Sequence, residues 1–408
     1  MNKLVASSIA GLLAFMTHGY SQNTNIKTKA QQIISNEDSL LVNNDNQTVI
    51  SGYGSAFYQH NKNTTLASMN LERAVLFVGH KFNNKVALFT EMEVENAKVE
   101  GGNNGELAFE QAYLRFNINP GSYLVAGLFV PRIGIINENH LPVNFNGVER
   151  TMVEQLVIPA TWRELGVGYY GTSKRFPLQY SVALLNGLNS AAFEHGNGIR
   201  EGRFEGNNAN ASALALTASL QYTVSDFKIQ LSGYMGGSSG LTKKDADSLG
   251  LNNSTFGTPV YLGEANIQYN HNAFNAKVLG SYISIPDADK INEAYDNNTA
   301  SGMYGAYAEL SYDWLFKKNI KAQFVTFARY EMIDLNSSTS GTKAIYDGTL
   351  KQSHFLFGIG YLPIPNVAIK ADVRVLNTGN ANPALTTPSS TPYQSNNQFI
   401  NIGIGYSF

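Results

Sequence analysis

The chain closes with QFINIGIGYSF, residues 398–408. Ile400, Ile402, Ile404, Tyr406 and Phe408 alternate with Asn401, Gly403, Gly405 and Ser407. Side chains of a strand point to opposite faces in turn, so one face is wholly apolar and the other small and polar. A strand with lipid on one side and water on the other has this character. The segment predicts a membrane-spanning strand.

The same period recurs upstream. GAYAELSYDW places Ala306, Ala308, Leu310, Tyr312 and Trp314 outward, and Tyr307, Glu309, Ser311 and Asp313 inward. IKAQFVTFARYE sets Ile320, Ala322, Phe324, Thr326, Ala328 and Tyr330 against Lys321, Gln323, Arg329 and Glu331. NVAIKADVRV sets Val367, Ile369, Ala371, Val373 and Val375 against Lys370, Asp372 and Arg374. Charges are costly against lipid and tolerated in a wet lumen. A soluble two-sheet sandwich predicts strands of about five or six residues. These runs are long enough to cross a bilayer at a tilt.

Connections set the topology. Short ones fall near 82–85, 119–122, 172–177, 224–226, 270–272, 315–319 and 362–366. Long polar ones alternate with them near 60–69, 98–105, 131–161, 189–209, 238–256, 286–301, 335–349 and 379–395. Seven short and eight long connections join sixteen strands, an even number with both ends on the short-turn side. The expected strands are 47–59, 70–81, 86–97, 106–118, 122–130, 162–171, 178–188, 210–223, 227–237, 257–269, 273–285, 302–314, 320–334, 350–361, 367–378 and 396–408. The fold class is all-β, a transmembrane antiparallel β-barrel of about 16 strands spanning 47–408. Phe82, Phe116, Tyr123, Phe176, Tyr180, Tyr222, Phe227, Tyr269, Phe274, Trp314, Phe316 and Tyr361 cluster beside the short turns, as an interfacial aromatic girdle would.

Composition agrees. Only 15% of the 408 residues are charged, against roughly a quarter in soluble proteins. The net charge of −2 gives no reason to expect nucleic acid as a partner. With no cysteine, disulfide frameworks and thiolate metal sites are excluded. Residues 1–21 read as a signal peptide: Lys3, an apolar run from Leu4 to Met16, and small residues at Gly19 and Ser21 before the cut. Residues 22–46 read as a polar periplasmic lead-in. The predicted location is the outer membrane of a Gram-negative bacterium, in contact with its lipid.

A barrel of sixteen strands leaves an aqueous channel rather than a packed interior. The connection at 131–161 stands apart from the other long loops. It carries Ile133, Ile135, Ile136, Leu141, Val143, Phe145, Met152, Val153, Leu156, Val157 and Ile158. A loop in bulk water would not keep that much apolar surface, so this third long loop is expected to fold into the lumen as a constriction. Around it, Arg115, Arg132, Arg150 and Arg163 are expected to face Glu149, Glu154 and Glu164. Glu91, Glu93 and Glu95 share one strand face, and Arg73 on the neighbouring strand can offset one of them. Facing rows of opposite charge set a transverse field that favours polar solutes.

Four stretches resemble the phosphate-selective porin O/P family: FEQAYLRF (109–116), GLFVPRIG (127–134), FNGVERTMVEQ (145–155) and WRELGVGYYG (162–171). Within them Gly127, Pro131, Gly134, the Glu149–Arg150 pair, Arg163, Gly166 and Val167 carry the likeness. The resemblance implies a sixteen-stranded homotrimer with the third loop folded inward. Phosphate-selective members line the pore with arginines and a lysine cluster. This chain departs there, with both signs at inward positions, which predicts a less selective porin. The terminal Phe408, with apolar residues at every second position before it, resembles the signal read by the outer-membrane barrel assembly machinery. The alternatives are a phosphate or anion channel and a structural or adhesion barrel without an open pore.

Neither a Walker A nor an HExxH motif is present. His60, His80, His140, His195, His271 and His354 scatter over different connections and walls without the paired spacing of a metal site. Neither cofactor nor metal is expected.

Overall fold

The computed structural model describes residues 26–35, 46–101, 105–318, 320–385 and 394–408. The expected signal peptide lies outside these residues. Sixteen antiparallel strands form one closed sheet in which each strand pairs with its neighbours in sequence. They are β1 Gln47–Asn61, β2 Ala67–Lys81, β3 Val86–Glu95, β4 Glu106–Asn119, β5 Ser122–Phe129, β6 Glu164–Thr172, β7 Leu178–Asn186, β8 Leu214–Val224, β9 Phe227–Gly236, β10 Val260–His271, β11 Phe274–Ser284, β12 Gly302–Asp313, β13 Gln323–Ser338, β14 Lys351–Ile364, β15 Val367–Thr378 and β16 Asn396–Ser407. The alternation read from the sequence holds: Ile402 and Ile404 are exposed on the outer surface, whereas Asn401 and Ser407 are buried.

The seam is made by β1 and β16, in register from Tyr53 opposite Ser407 to Asn61 opposite Phe399. Beyond the strand end, Gly52 and Phe408 exchange backbone hydrogen bonds of 3.1 and 2.9 Å. Closure leaves no edge strand, the condition for a sheet to exist in hydrocarbon, where an unpaired peptide group costs several kcal/mol.

Three details depart from the sequence reading. Strands β8 and β13 differ most from expectation, because β8 starts four residues later and β13 runs four residues farther toward the long loops. Tyr123 is not on the outer girdle. It turns inward and stacks on Tyr170, its register partner on β6, with ring centroids 5.1 Å apart. The lead-in also has structure: Lys29–Ser35 forms a short helix, α1. It lies against β1, β2 and β3 with Ala30 fully buried and its N–H donating to Ser51 Oγ at 3.1 Å. Ser51 is an inward residue, so α1 sits inside the barrel mouth. Ile26 and Asn144 of the third long connection exchange hydrogen bonds of 2.8 and 2.9 Å.

Candidate functional site

Residues 131–161 leave β5 and turn into the lumen. The turn is made at Gly134, whose φ of +74° strains any residue with a Cβ. A Cβ there would also stand 2.7 Å from Glu154 Oε1. Glu154 is completely buried and organises the segment from within. Its carboxylate accepts the N–H groups of Ile135 and Ile136 at 2.6 and 2.7 Å, the Thr151 hydroxyl at 3.0 Å and the Tyr307 hydroxyl at 2.9 Å. Burying this much backbone requires partners for its polar groups, and the barrel wall supplies them.

These partners come from several sides of the barrel. On β10, Glu264 accepts from Gly134 N–H at 3.4 Å, and on β9 Gln230 donates to the Gly134 carbonyl at 3.0 Å. On β13, Glu331 accepts from Val153 N–H at 2.9 Å. On β15, Asp372 accepts from Val148 N–H at 2.7 Å, and Lys370 Nζ donates to the Phe145 carbonyl at 2.7 Å. The apolar side chains follow the same path. Ile133, Val153, Val157 and Ile158 are wholly buried, and Val153 and Val157 lie over Gly305 of β12, where a Cβ would meet them within 2.9 Å. The long β7–β8 connection covers the return. Arg200 donates to the Gln155 carbonyl, and Arg203 donates to those of Pro159 and Thr161. Burial, reinforced by Arg200 and Arg163, pulls the Arg203 guanidinium down to about 10.

The segment therefore spans the lumen. Inward side chains on walls far apart are almost inaccessible: Gln230, Asn266, Arg329 and Asn401 are each 1–2% exposed. The interior is much narrower than the open aqueous channel that strand number alone suggests.

The expected charged residues meet different partners from those anticipated. None of Arg115, Arg132, Arg150 and Arg163 forms an ion pair with Glu149, Glu154 or Glu164 among the described residues. Glu149 pairs with Arg374 of β15 at 3.1 Å. Glu154 serves the backbone as described. Glu164 is buried and held by Asn186 at 2.7 Å and Phe204 N–H at 3.2 Å. Arg163 turns to Glu205 at 2.8 Å and Glu106 at 3.5 Å, on the long-loop side. Arg150 is buried and donates to the His140 carbonyl at 3.5 Å. The neighbours in sequence, Glu149 and Arg150, point to different partners. On the acidic face of β3, Arg73 contacts two of the three carboxylates, Glu93 at 3.1 Å and Glu95 at 3.7 Å, with Glu72 beside it at 3.1 Å. Glu91 does not take part and belongs to a separate group with Tyr53, Glu110 and His140.

Next to that group is a cavity of about 210 Å³. Its aromatic wall is a stack on β4, β5 and β6. The Arg115 guanidinium lies 3.5 Å above the Tyr123 ring, Tyr123 stacks on Tyr170, and Arg132 lies 5.5 Å from the Tyr170 ring. Arg132 also meets Glu138 at 2.6 Å, and Lys228 approaches Glu138 from β9 at 3.4 Å. Burial opposes ionisation of Glu138, yet Arg132 and Lys228 outweigh it and pull the carboxyl down to about 2. Lys27, Asn139 and Asn144 complete one side of the cavity.

Several residues that shape this interior lay unassigned at inward positions. Arg329, on β13, is fully buried between Glu309 at 3.1 Å and Glu331 at 2.8 Å. Lys370 and Asp372 anchor the crossing segment. Inward parity on an alternating strand was the available signal for them, but parity does not say which wall residue the loop will meet.

No family model matches the chain, so the likeness to the phosphate-selective porins rests on the four stretches alone. An uncharacterized protein of Aquifex aeolicus (strain VF5) is 31% identical over 339 residues, covering 79% of this chain and 74% of that protein. Solved outer-membrane proteins share the fold. Salmonella typhi OmpF in complex with daunomycin gives a TM-score of 0.54 at 12% identity, covering 89% of this chain and 98% of that one. The in-vitro folded Vibrio cholerae outer-membrane protein OmpT, in its trimer form, gives 0.53 at 12%, covering 90% and 100%. The anion-selective porin from Comamonas acidovorans gives 0.52 at 11%, covering 89% and 100%.

Proposed function

This chain belongs to one family with the uncharacterized Aquifex aeolicus protein, and we propose that it is an outer-membrane porin, passing small hydrophilic solutes or ions by passive diffusion with weak charge selectivity. The observation that carries this reading is the inward segment tied to separate walls by Glu264, Glu331 and Asp372. A segment held this way leaves the lipid-facing sheet intact and makes the narrowest point, rather than the barrel radius, control passage. Porins among the proteins of similar fold support the same reading.

Charges of both signs stand on the inner wall and the inward segment, in close pairs. Arg73, Arg132, Arg329 and Arg374 each stand beside a carboxylate. A phosphate filter needs uncompensated positive charge to replace the hydration of a multivalent anion. The pairing favours a weakly selective channel over that alternative. The location is the outer membrane of a Gram-negative bacterium, with the short turns toward the periplasm and the apolar outer face in lipid. The assembly is a homotrimer, in keeping with the trimer form of the Vibrio cholerae protein, and the barrel machinery reads the strand that ends at Phe408.

Planar-bilayer recording tests the proposal. Purified protein should give ohmic steps grouped in threes, small for sixteen strands. Replacing residues 139–147 with two glycines should raise the step roughly twofold or more. A barrel that is silent both intact and shortened is not a channel, and an unchanged step would place the limiting aperture elsewhere.

A further inference from the structure

Glu91 of β3, Glu110 of β4 and His140 of the inward segment are brought together, with one ligand atom from each within 4.8 Å of the others. Glu91 and Glu110 are 0% exposed and His140 is 3% exposed. Each carboxylate has one oxygen engaged from outside the group. Gln111 Nε2 donates to Glu91 Oε2 at 2.7 Å, and the Thr161 hydroxyl donates to Glu110 Oε1. The remaining oxygens converge. Glu91 Oε1 lies 3.2 Å from His140 Nε2, and Glu91 Oε1 and Glu110 Oε2 each lie 3.3 Å from the Tyr53 hydroxyl.

Two buried carboxylates aimed at one point repel unless a positive charge stands between them. His140 stands against Glu91 alone, at 3.2 Å, and Arg73 is engaged by Glu72, Glu93 and Glu95. Arg150 donates to a carbonyl. The donor spacings suit a divalent cation: tetrahedral bonds of 2.0–2.1 Å place neighbouring donors about 3.3 Å apart. One imidazole and two carboxylates make a borderline-hard set that takes zinc. The hydrogen bonds from Gln111 and Thr161 orient the ligands as outer partners do in metal sites. Gln111 and His140 also line the 210 Å³ cavity, which provides an entry path.

We propose that Glu91, Glu110 and His140 form a zinc-type divalent cation site, with the Tyr53 hydroxyl or a water as fourth donor. Two ligands come from the wall and one from the inward segment, so the ion would clamp that segment to β3 and β4. The site extends beyond the porin reading and does not require conduction.

The test uses untagged, folded protein in detergent, stripped with chelator and titrated with Zn²⁺ or Co²⁺ alone. One equivalent of Zn²⁺ should bind per chain, and Co²⁺ should give the intense visible bands of a tetrahedral ion. His140→Ala should abolish this binding. Thr161→Val, which removes only an orienting bond, should weaken it by about 10- to 100-fold. His271→Ala, altering an exposed histidine at the short-turn end, should leave it unchanged. Retained heat-modifiable migration on a gel checks folding of each variant. The proposal fails if wild-type protein binds no stoichiometric Zn²⁺, or if its Co²⁺ spectrum is octahedral; neither readout needs a variant. It also fails if a folded His140→Ala protein binds as tightly as wild type.

Discussion

Val148 and Asp372 are 224 residues apart in the chain, and the backbone N–H of the first donates to the side chain of the second at 2.7 Å. The other oxygen of Asp372 accepts from Asn401 Nδ2 at 2.7 Å. One carboxylate thus joins the inward segment, β15 and β16. Asp372→Ala leaves a buried N–H and a buried amide without partners, at a cost of about 1–3 kcal/mol for each. The expected result is a barrel that still folds but whose open-channel current is noisier than wild type. Single-channel power spectra check this, and an unchanged spectrum would mean that the anchor does not restrain the segment.

Arg115 and Arg163 were anticipated in the same role, but their surroundings separate them. Arg115 lies on the cavity wall over Tyr123 and lacks a carboxylate partner among the described residues, whereas Arg163 is neutralised by Glu205 and Glu106. Arg115→Gln should move the reversal potential in a salt gradient toward cation preference, and Arg163→Gln should move it much less. Equal shifts would show that local pairing does not govern selectivity here.

The Glu138 contacts predict an acid limit. Its carboxyl is held at about 2, below its ordinary value of 4.5. A carboxylate with a lowered folded-state value stabilises above its unfolded value, and that contribution is lost as pH falls through the folded one. The Arg132–Glu138–Lys228 contact should therefore be intact at pH 5 and weaken between about 4.5 and 2. Protection of the 131–161 segment from an acid-active protease should fall over that window in wild type. In Glu138→Gln the protection should be lower at pH 5 and flat below it. A wild-type profile with no drop above pH 2 would contradict the assignment.

Gly134→Ala should loosen the inward turn. The residue must adopt positive φ, and its Cβ would press on the Glu154 carboxylate that holds Ile135 and Ile136. A penalty of about 1–3 kcal/mol is expected for such backbone strain. It should appear as faster proteolysis inside 131–161 with the barrel's gel migration unchanged. Equal cleavage rates would mean that the turn relaxes at no cost.

The barrel was legible because its signal is local and repeated. Period-two alternation, as in Ile400 to Phe408 or Val367 to Val375, states which side of each strand meets lipid, and turn length states which end is which. The apolar content of 131–161 likewise pointed inward. The partners of the charged residues were not legible. Glu149 meets Arg374 rather than any of the four expected arginines because the segment crosses the lumen before it returns. Tyr123 looked like its girdle neighbours by position along the chain, yet its parity on β5 turns it inward. His140 shared no spacing with another histidine, and the two carboxylates it meets, Glu91 and Glu110, come from two strands upstream. Contacts made by a loop folding across a cavity leave no periodic trace.

The bonds between Gly52 and Phe408 carry a kinetic corollary. The first and last strands of the sheet are mutual partners, so the cylinder cannot shut until β16 has been made. Any fragment lacking its tail would present two unsatisfied margins, each a template for pairing with another molecule. Long-range pairing of this kind is intrinsically slow and exposes the unfinished polypeptide to aggregation. Both margins thus stay open for as long as the last strand is missing.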